Sequence, residues 1–344
     1  MRDEDGVMSL DFLAGFTIFL LALIMVVSMV PGLLAGLGSS SIDYDAVAYR
    51  TGVILAEDPG WPAYPPWEMA GNPDDIERMG FSVSRETPNV LLSTKIERFF
   101  DSGFTAGDYR SKAIFGDYPY SYNISIRSLD GAYQKSTGEP LPPGHGYIRR
   151  VVKIKEPGVA NISYNSSFNE TTLDPSEPRV FTVRLNFSQL LDPSVGPAYR
   201  IDPRTEPVKI NITEFGRYLN ATASVENATL KSVTFWKMDP TVPMPRFTRI
   251  PFSYNTEDPD LYTLSLDGIS SDLEPGIGVS ENISLVLKPA ATSIFTLDQN
   301  SILEIRFTFD DDPQRTFMNG TYLYDYAHVD LPPLKPAVLE VAIW

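Results

Sequence analysis

The chain contains no cysteine. Structural disulfides, thiolate zinc sites and cysteine nucleophiles are therefore excluded by composition. Histidine is almost missing as well: His145 and His328 are the two present, too few for a multi-histidine metal site. Basic residues are outnumbered, 28 Lys and Arg against 44 Asp and Glu, for a net charge of -16. With no basic cluster to meet phosphates, nucleic acid is not expected as a partner. The sequence also lacks a Gly-x-Ser-x-Gly elbow, a P-loop, a His-Glu-x-x-His pair and a dinucleotide fingerprint, so no enzymatic activity is expected. His145 lies in a Pro-Gly turn and His328 in a predicted strand, both positions where structural roles dominate. Asp310-Asp311-Asp312, and Asp192 with Asp202, have the oxygen ligands that Ca²⁺ uses. Acidic turns commonly serve solubility alone, so no cofactor is expected apart from N-linked glycan, with calcium kept as an alternative.

What is present in excess is apolar residue at the N-terminal end. From Phe12 to Leu37 no residue is charged. This run exceeds the roughly 20 residues that cross a bilayer as a helix, and it is longer than the apolar core of a secretory signal. A carboxylate, Asp11, stands at its head. Deep in the bilayer it would cost about 2.5–3.5 kcal/mol, which a position near the interface relieves. Ser40-Ser41-Ile42-Asp43 resembles a capping box, and Tyr44, Val47, Ala48, Thr51 and Leu55 continue at helical spacing until Asp58-Pro59-Gly60 stops the helix. One helix over 7–57 would measure roughly 75 Å and form a membrane span with a stalk. Pro31-Gly32, Gly36 and Gly38 favour an interruption, and two separate helices are the alternative.

Asn-x-Ser/Thr sequons are the second excess. There are ten: Asn123, Asn161, Asn165, Asn169, Asn186, Asn211, Asn220, Asn227, Asn282 and Asn319. With 14 asparagines in all, chance would give roughly two. All follow the apolar run, which predicts that the body faces outward. Asn123, Asn186, Asn211 and Asn282 fall on the polar side of alternating strand patterns, so they are expected to face solvent.

The 29 prolines and 23 glycines suit a β-rich body with many turns. The Pro-rich segment holding Trp61, Tyr64 and Trp67 reads as a packed loop or an interfacial aromatic belt. Short helices are predicted at 91–102 and 106–114, and strands at 120–127 and 147–155. From 156 to 334 repeated alternation predicts strands at 181–188, 208–213, 222–237, 261–266, 279–287, 302–309 and 322–329, an antiparallel β-sandwich. The final segment, 337–344, is a further strand.

Met1-Arg2-Asp3-Glu4-Asp5-Gly6, then Val7-Met8-Ser9-Leu10-Asp11 and a long apolar helix, resembles the class III signal of type IV pilins and of pilin-like surface proteins of methanogens and haloarchaea. The leader departs from the pattern in having one Arg among three acids. The resemblance implies cleavage by a prepilin peptidase between Gly6 and Val7, and a role for Asp11 in assembly with other pilin-like subunits. Gly146–Lys155 (GYIRRVVKIK), with a closing strand ending in Trp344, is similar to the same proteins. It implies that 156–334 is an insertion and that the closing strand returns to the sheet before it.

The expected fold is therefore α+β: a leader (1–6), a transmembrane and stalk helix (7–57), a membrane-proximal α+β domain (58–155, closed by 337–344) and an inserted, glycosylated sandwich (156–334). The expected function is that of a single-pass cell-surface glycoprotein, structural or adhesive, in a filament or as a minor pilin component, with an unidentified surface ligand. A monomeric, membrane-anchored carbohydrate-binding or envelope glycoprotein is the alternative.

Overall fold

The computed structural model describes residues 10–38, 43–116, 118–163, 180–217, 228–239, 246–250, 261–269, 277–309 and 320–344. Contacts divide the chain into two compact units, Met1–Tyr44 and Asp45–Trp344.

The first unit is built on helix α1 (Leu10–Gly38). It is about 43 Å long at 1.5 Å per residue, more than the hydrocarbon core of a bilayer. Phe12–Val30 is long and apolar enough to span a membrane, and every side chain in it is exposed. The two hydroxyls in that stretch are satisfied within the helix: Thr17 donates to the Leu13 carbonyl (2.7 Å) and Ser28 to the Met25 carbonyl (2.9 Å). No polar group there depends on water. The backbone stays helical across Pro31-Gly32.

Helix α2 (Tyr44–Glu57) follows separately; residues 39–42, which include most of the expected capping box, lie outside the described residues. It was expected as the upper part of a stalk, yet Val47, Ala48, Thr51, Gly52, Leu55 and Ala56 are buried in the body. That spacing puts them on one face, and full burial of Leu55 alone contributes about 2 kcal/mol. Gly52 sets how close the helix lies, since a Cβ there would stand 3.0 Å from Ile148 Cγ2.

The helix lies on a five-stranded sheet made of β1 (Val90–Leu92), β2 (Tyr122–Ser128), β3 (Gln134–Gly138), β4 (Gly146–Lys155) and the last strand, β15 (Leu334–Ile343), in the order β1-β4-β15-β2-β3. The face toward α2 carries Ile124, Ile126, Val152, Leu339 and Val341, all buried. β15 is central, antiparallel to β4 from Leu334↔Lys155 to Ile343↔Gly146 and to β2 on its other side. Short helices α3 (Ser93–Phe99) and α4 (Ala106–Tyr109) precede β2, and α4 continues as a wider π-helical turn over Arg110–Ile114.

Between β4 and β15 the chain forms two more sheets. One is four-stranded, from β5 (Val159–Ile162), β7 (Val208–Ile212), β10 (Tyr262–Leu266) and β12 (Ile283–Leu287), in the order β10-β12-β7-β5. The other has six strands: β6 (Val180–Asn186), β8 (Ala228–Asp239), β9 (Arg246–Arg249), β11 (Ile277–Val279), β13 (Ile302–Phe309) and β14 (Gly320–Tyr324). Helices α5 (Phe187–Leu190) and α6 (Pro289–Ile294) complete the segment. One hydrophobic cluster draws on both sheets, with Ile210 and Leu285 from the first and Val183, Phe235 and Phe307 from the second.

The sheets are mixed rather than antiparallel throughout. β5 runs parallel to β7, and β14 parallel to β6. In both cases a strand of another sheet lies between the partners in sequence, which gives the long crossover that a parallel pair needs. Two predicted strands are also shorter than expected. The stretch 279–287 breaks into β11 and β12 because the Asp267 carboxylate accepts the N–H groups of Ser280, Glu281 and Asn282 (2.7–2.8 Å), holding a turn there. The stretch 322–329 ends as a strand at Tyr324, where Asp325 accepts from Ala327 N–H and pairs with His328.

Candidate functional site

Of the expected processing and assembly residues, Gly6 and Val7 lie outside the described residues, and Asp11 belongs to α1. The sequons Asn165, Asn169, Asn220, Asn227 and Asn319, and the acidic run Asp310-Asp311-Asp312, also lie outside them.

The other five sequons reach the surface in different ways. Asn123 is on β2, on the sheet face opposite α2, and donates to the Glu139 carbonyl (2.9 Å). That face also carries Glu340 between Arg127 (3.7 Å) and Arg149 (3.6 Å). Asn186 is the last residue of β6 and accepts from the Ser188 hydroxyl (2.7 Å). Asn282 is exposed but precedes β12, in the turn held by Asp267, instead of lying within a strand. Asn161 and Asn211 are register partners on the parallel strands β5 and β7, and Asn211 Nδ2 donates to Asn161 Oδ1 (3.1 Å). Asn211 is next to Ser284 on its other side and accepts from that hydroxyl (2.8 Å).

A cleft of about 490 Å³ opens where the Pro-rich loop after α2 meets the segment following α5. The loop divides its aromatics by role. Trp67 is wholly buried and donates its indole N–H to the Gly80 carbonyl (2.9 Å), whereas Trp61 and Tyr64 line the cleft with 48% and 57% of their surface exposed. Close packing holds the loop: a Cβ on Gly80 would lie 2.1 Å from the Asp58 carbonyl oxygen, so no larger residue fits there. The Arg204 guanidinium lies over the Tyr64 ring at 5.1 Å and grips Asp202 with two hydrogen bonds (2.9 and 2.8 Å). Each of the three carboxylates lining the cleft has a basic partner: Glu86 has Arg200, Asp202 has Arg204 and Glu206 has Lys155. Paired in this way, they present a fixed polar wall rather than a free acid and base.

Behind this wall lie charges that the sequence did not reveal. Lys155, at the end of β4, is fully buried and donates to Glu206 Oε1 (2.7 Å) and the Arg200 carbonyl (2.6 Å). Burial pushes the Glu206 carboxyl above its ordinary value, and the Lys155 ammonium pulls it back only in part. Lys95 is also buried and donates to the Pro59 (2.7 Å) and Ser82 (3.0 Å) carbonyls; desolvation lowers its pKa while Glu68, Glu206 and Asp58 oppose the shift. Glu68 is buried with no hydrogen-bond partner for either oxygen, and burial raises its pKa from 4.5 to about 7 despite the nearby Lys95. Nothing in the local pattern marks these residues, because each is charged, whether on α3 (Lys95), at a strand end (Lys155) or in the segments holding Glu68 and Glu206. Only tertiary contact buries them.

The remaining candidates have local partners. Asp192 accepts from Ser194 N–H (2.7 Å) and Asp202 is held by Arg204; among the described residues no group of three or more His, Asp or Glu side chains is placed to hold a metal ion. His145 Nδ1 is 2.8 Å from the Pro142 carbonyl, with its ring edge-on to Tyr147 and Trp344. His328 pairs with Asp325 at 2.7 Å. Comparison with known protein families, curated proteins and solved structures gives no match for this chain.

Proposed function

We propose that the chain is a single-pass, membrane-anchored cell-surface glycoprotein of type IV pilin-like character, with a structural or adhesive role in a surface filament. The observation that carries this reading is the exposed apolar stretch Phe12–Val30, with its hydroxyls satisfied inside the helix. It is followed by a body bearing surface sequons on strands of more than one sheet. On this reading the four- and six-stranded sheets pack as an inserted β-sandwich around their shared hydrophobic cluster. Gly6 and Val7 flank the processing site, Asp11 takes part in assembly, and the body faces outward.

Mass spectrometry of the mature N-terminus, on protein isolated from the membranes of cells that make it, tests the reading. A chain beginning at Val7 supports pilin-type processing. An intact Met1 removes the pilin element and leaves a plain anchor, and a start beyond Gly38 overturns membrane anchoring altogether.

A second reading, a monomeric carbohydrate-binding envelope glycoprotein, draws on the cleft. Two exposed aromatic rings beside a wall of paired charges form a surface on which a sugar can stack while its hydroxyls are hydrogen-bonded. It predicts that Trp61→Ala abolishes retention of the protein on immobilised cell-envelope polysaccharide. Unchanged retention would sink it.

A further inference from the structure

Asn161 and Asn211 each begin a sequon, yet they stand side by side. β5 and β7 are parallel neighbours with Asn161 and Asn211 in register, so both side chains leave the same face at the spacing of adjacent strands, roughly 4.8 Å. A pyranose ring with its hydroxyls is broader than that. The two amides are also joined directly: Asn211 Nδ2, the atom that would carry a sugar, donates to Asn161 Oδ1 at 3.1 Å. On its other side Asn211 is closed by the Ser284 hydroxyl, 2.8 Å from its Oδ1. A sugar on Asn211 therefore needs the Asn161 side chain to turn aside, which a bare Asn161 can do and one already carrying a glycan cannot.

Asn161 is placed differently. β5 is the edge of its sheet, Asn161 is exposed where Asn211 is half-buried, and Asn161 Nδ2 points away from Asn211 toward Asp330 Oδ2 (2.5 Å). Asp330, bridged to Val159, stands beside Asn161 at that edge; a sugar takes the second hydrogen of Nδ2, leaves past it and keeps Asn161 Oδ1 available to Asn211.

We infer that one N-linked glycan serves the Asn161–Asn211 pair and that it sits on Asn161, its presence keeping Asn211 bare. The inference rests on the reading of the chain as a surface glycoprotein. The transfer itself is ordinary: the Asn161 amide nitrogen forms a bond to the anomeric carbon of a polyprenyl-phosphate-linked oligosaccharide. It gives up one proton as the anomeric C–O bond breaks and the electron pair leaves on the lipid phosphate. When both sites are modified the strands cannot pair without forcing the sugars into one another, so such chains fail to complete the four-stranded sheet.

Glycopeptide mass spectrometry of the full-length protein, purified from cells that make it, reads the fractional occupancy of each sequon. The expected result is high occupancy at Asn161, low occupancy at Asn211, and a sum for the two that does not exceed one. In Ser163→Ala, which destroys the Asn161 sequon and keeps its amide, Asn211 occupancy should rise several-fold. Thr213→Ala should leave Asn161 unchanged. A sum clearly above one, a bare pair beside glycans at other sequons, or no rise at Asn211 in Ser163→Ala each overturns the inference. A protein without glycan at any of its ten sequons instead overturns the glycoprotein reading on which it depends. If Ser163→Ala is not recovered folded, the wild-type sum still decides.

Discussion

Removal of the Glu68 carboxyl should change the protein's response to pH. The group is buried, neither oxygen has a hydrogen-bond partner, and its pKa rises from 4.5 to about 7. Because the folded-state value is the higher one, the folded protein binds this proton more tightly than the unfolded chain. The stability Glu68 contributes is therefore fully present below about pH 4.5 and is lost as pH rises through about 7. A shift of that size corresponds to about 3 kcal/mol. Glu68→Gln keeps the shape of the side chain and removes the titration. Thermal unfolding of the detergent-solubilised protein, followed by circular dichroism at pH 5 and pH 8, measures the difference. Wild type should lose roughly 6 °C more than the variant over that interval, at about 2 °C per kcal/mol for a body of this size. The glutamine variant should be the more stable of the two at pH 8. Equal pH dependence in both proteins would mean that the carboxyl is solvated or already ionised, and the argument from burial would fail.

Other substitutions test other contacts. Lys155→Met should destabilise the protein by about 3–5 kcal/mol in urea titration, because it strands Glu206 in the interior, and the double variant Lys155→Met/Glu206→Leu should recover most of that loss. Gly52→Leu should cost about 1–3 kcal/mol, since the new side chain starts 3.0 Å from Ile148 Cγ2 on the sheet under α2. Asp267→Ala should cost about 1–3 kcal/mol by leaving three backbone N–H groups without their acceptor. Burial alone would raise the Asp267 pKa, but the bonds from Asn282, Ser280 and Glu281 outweigh it and hold the carboxyl below 3.8. Its stabilisation is thus present above about pH 3.8 and lost at lower pH, so Asp267→Ala should also flatten the acid limb of the stability curve.

How far the sequence could be read depended on what each residue contacts. From Leu303 to Phe309 apolar and polar residues alternate, and the predicted limits, 302–309, match β13. The apolar helix was equally plain. β3 (Gln134–Gly138) has no apolar side to show, because it is an exposed edge held by main-chain pairing to β2, and β9 escaped for a similar reason. α2 carries a helical pattern whether it stands free or packs on a sheet, and pattern alone cannot choose between the two. The same limit applies to the sequons. Alternation shows that Asn211 points outward, but not that Asn161 of a strand some 50 residues earlier lies beside it. The cleft was foreshadowed only by its aromatic residues, since two of the three ion pairs that line it, Glu86–Arg200 and Glu206–Lys155, join segments far apart in the chain.

The position of β15 between β4 and β2 has a mechanical consequence. The segment between β4 and β15 leaves the first sheet at Lys155 and re-enters it at Leu334, and these residues are register partners on adjacent antiparallel strands. A pull on that segment would load the sheet as a zipper, one rung after another from Leu334↔Lys155 toward Ile343↔Gly146, rather than in shear across all rungs together. The fork is fastened at the point where such a peel would start: Glu156 N–H donates to the Pro333 carbonyl, Lys335 pairs with Glu156, and Lys155 is locked to Glu206. Under such a pull, tensile strength would be decided at these few contacts at the root of the segment, ahead of its large hydrophobic core.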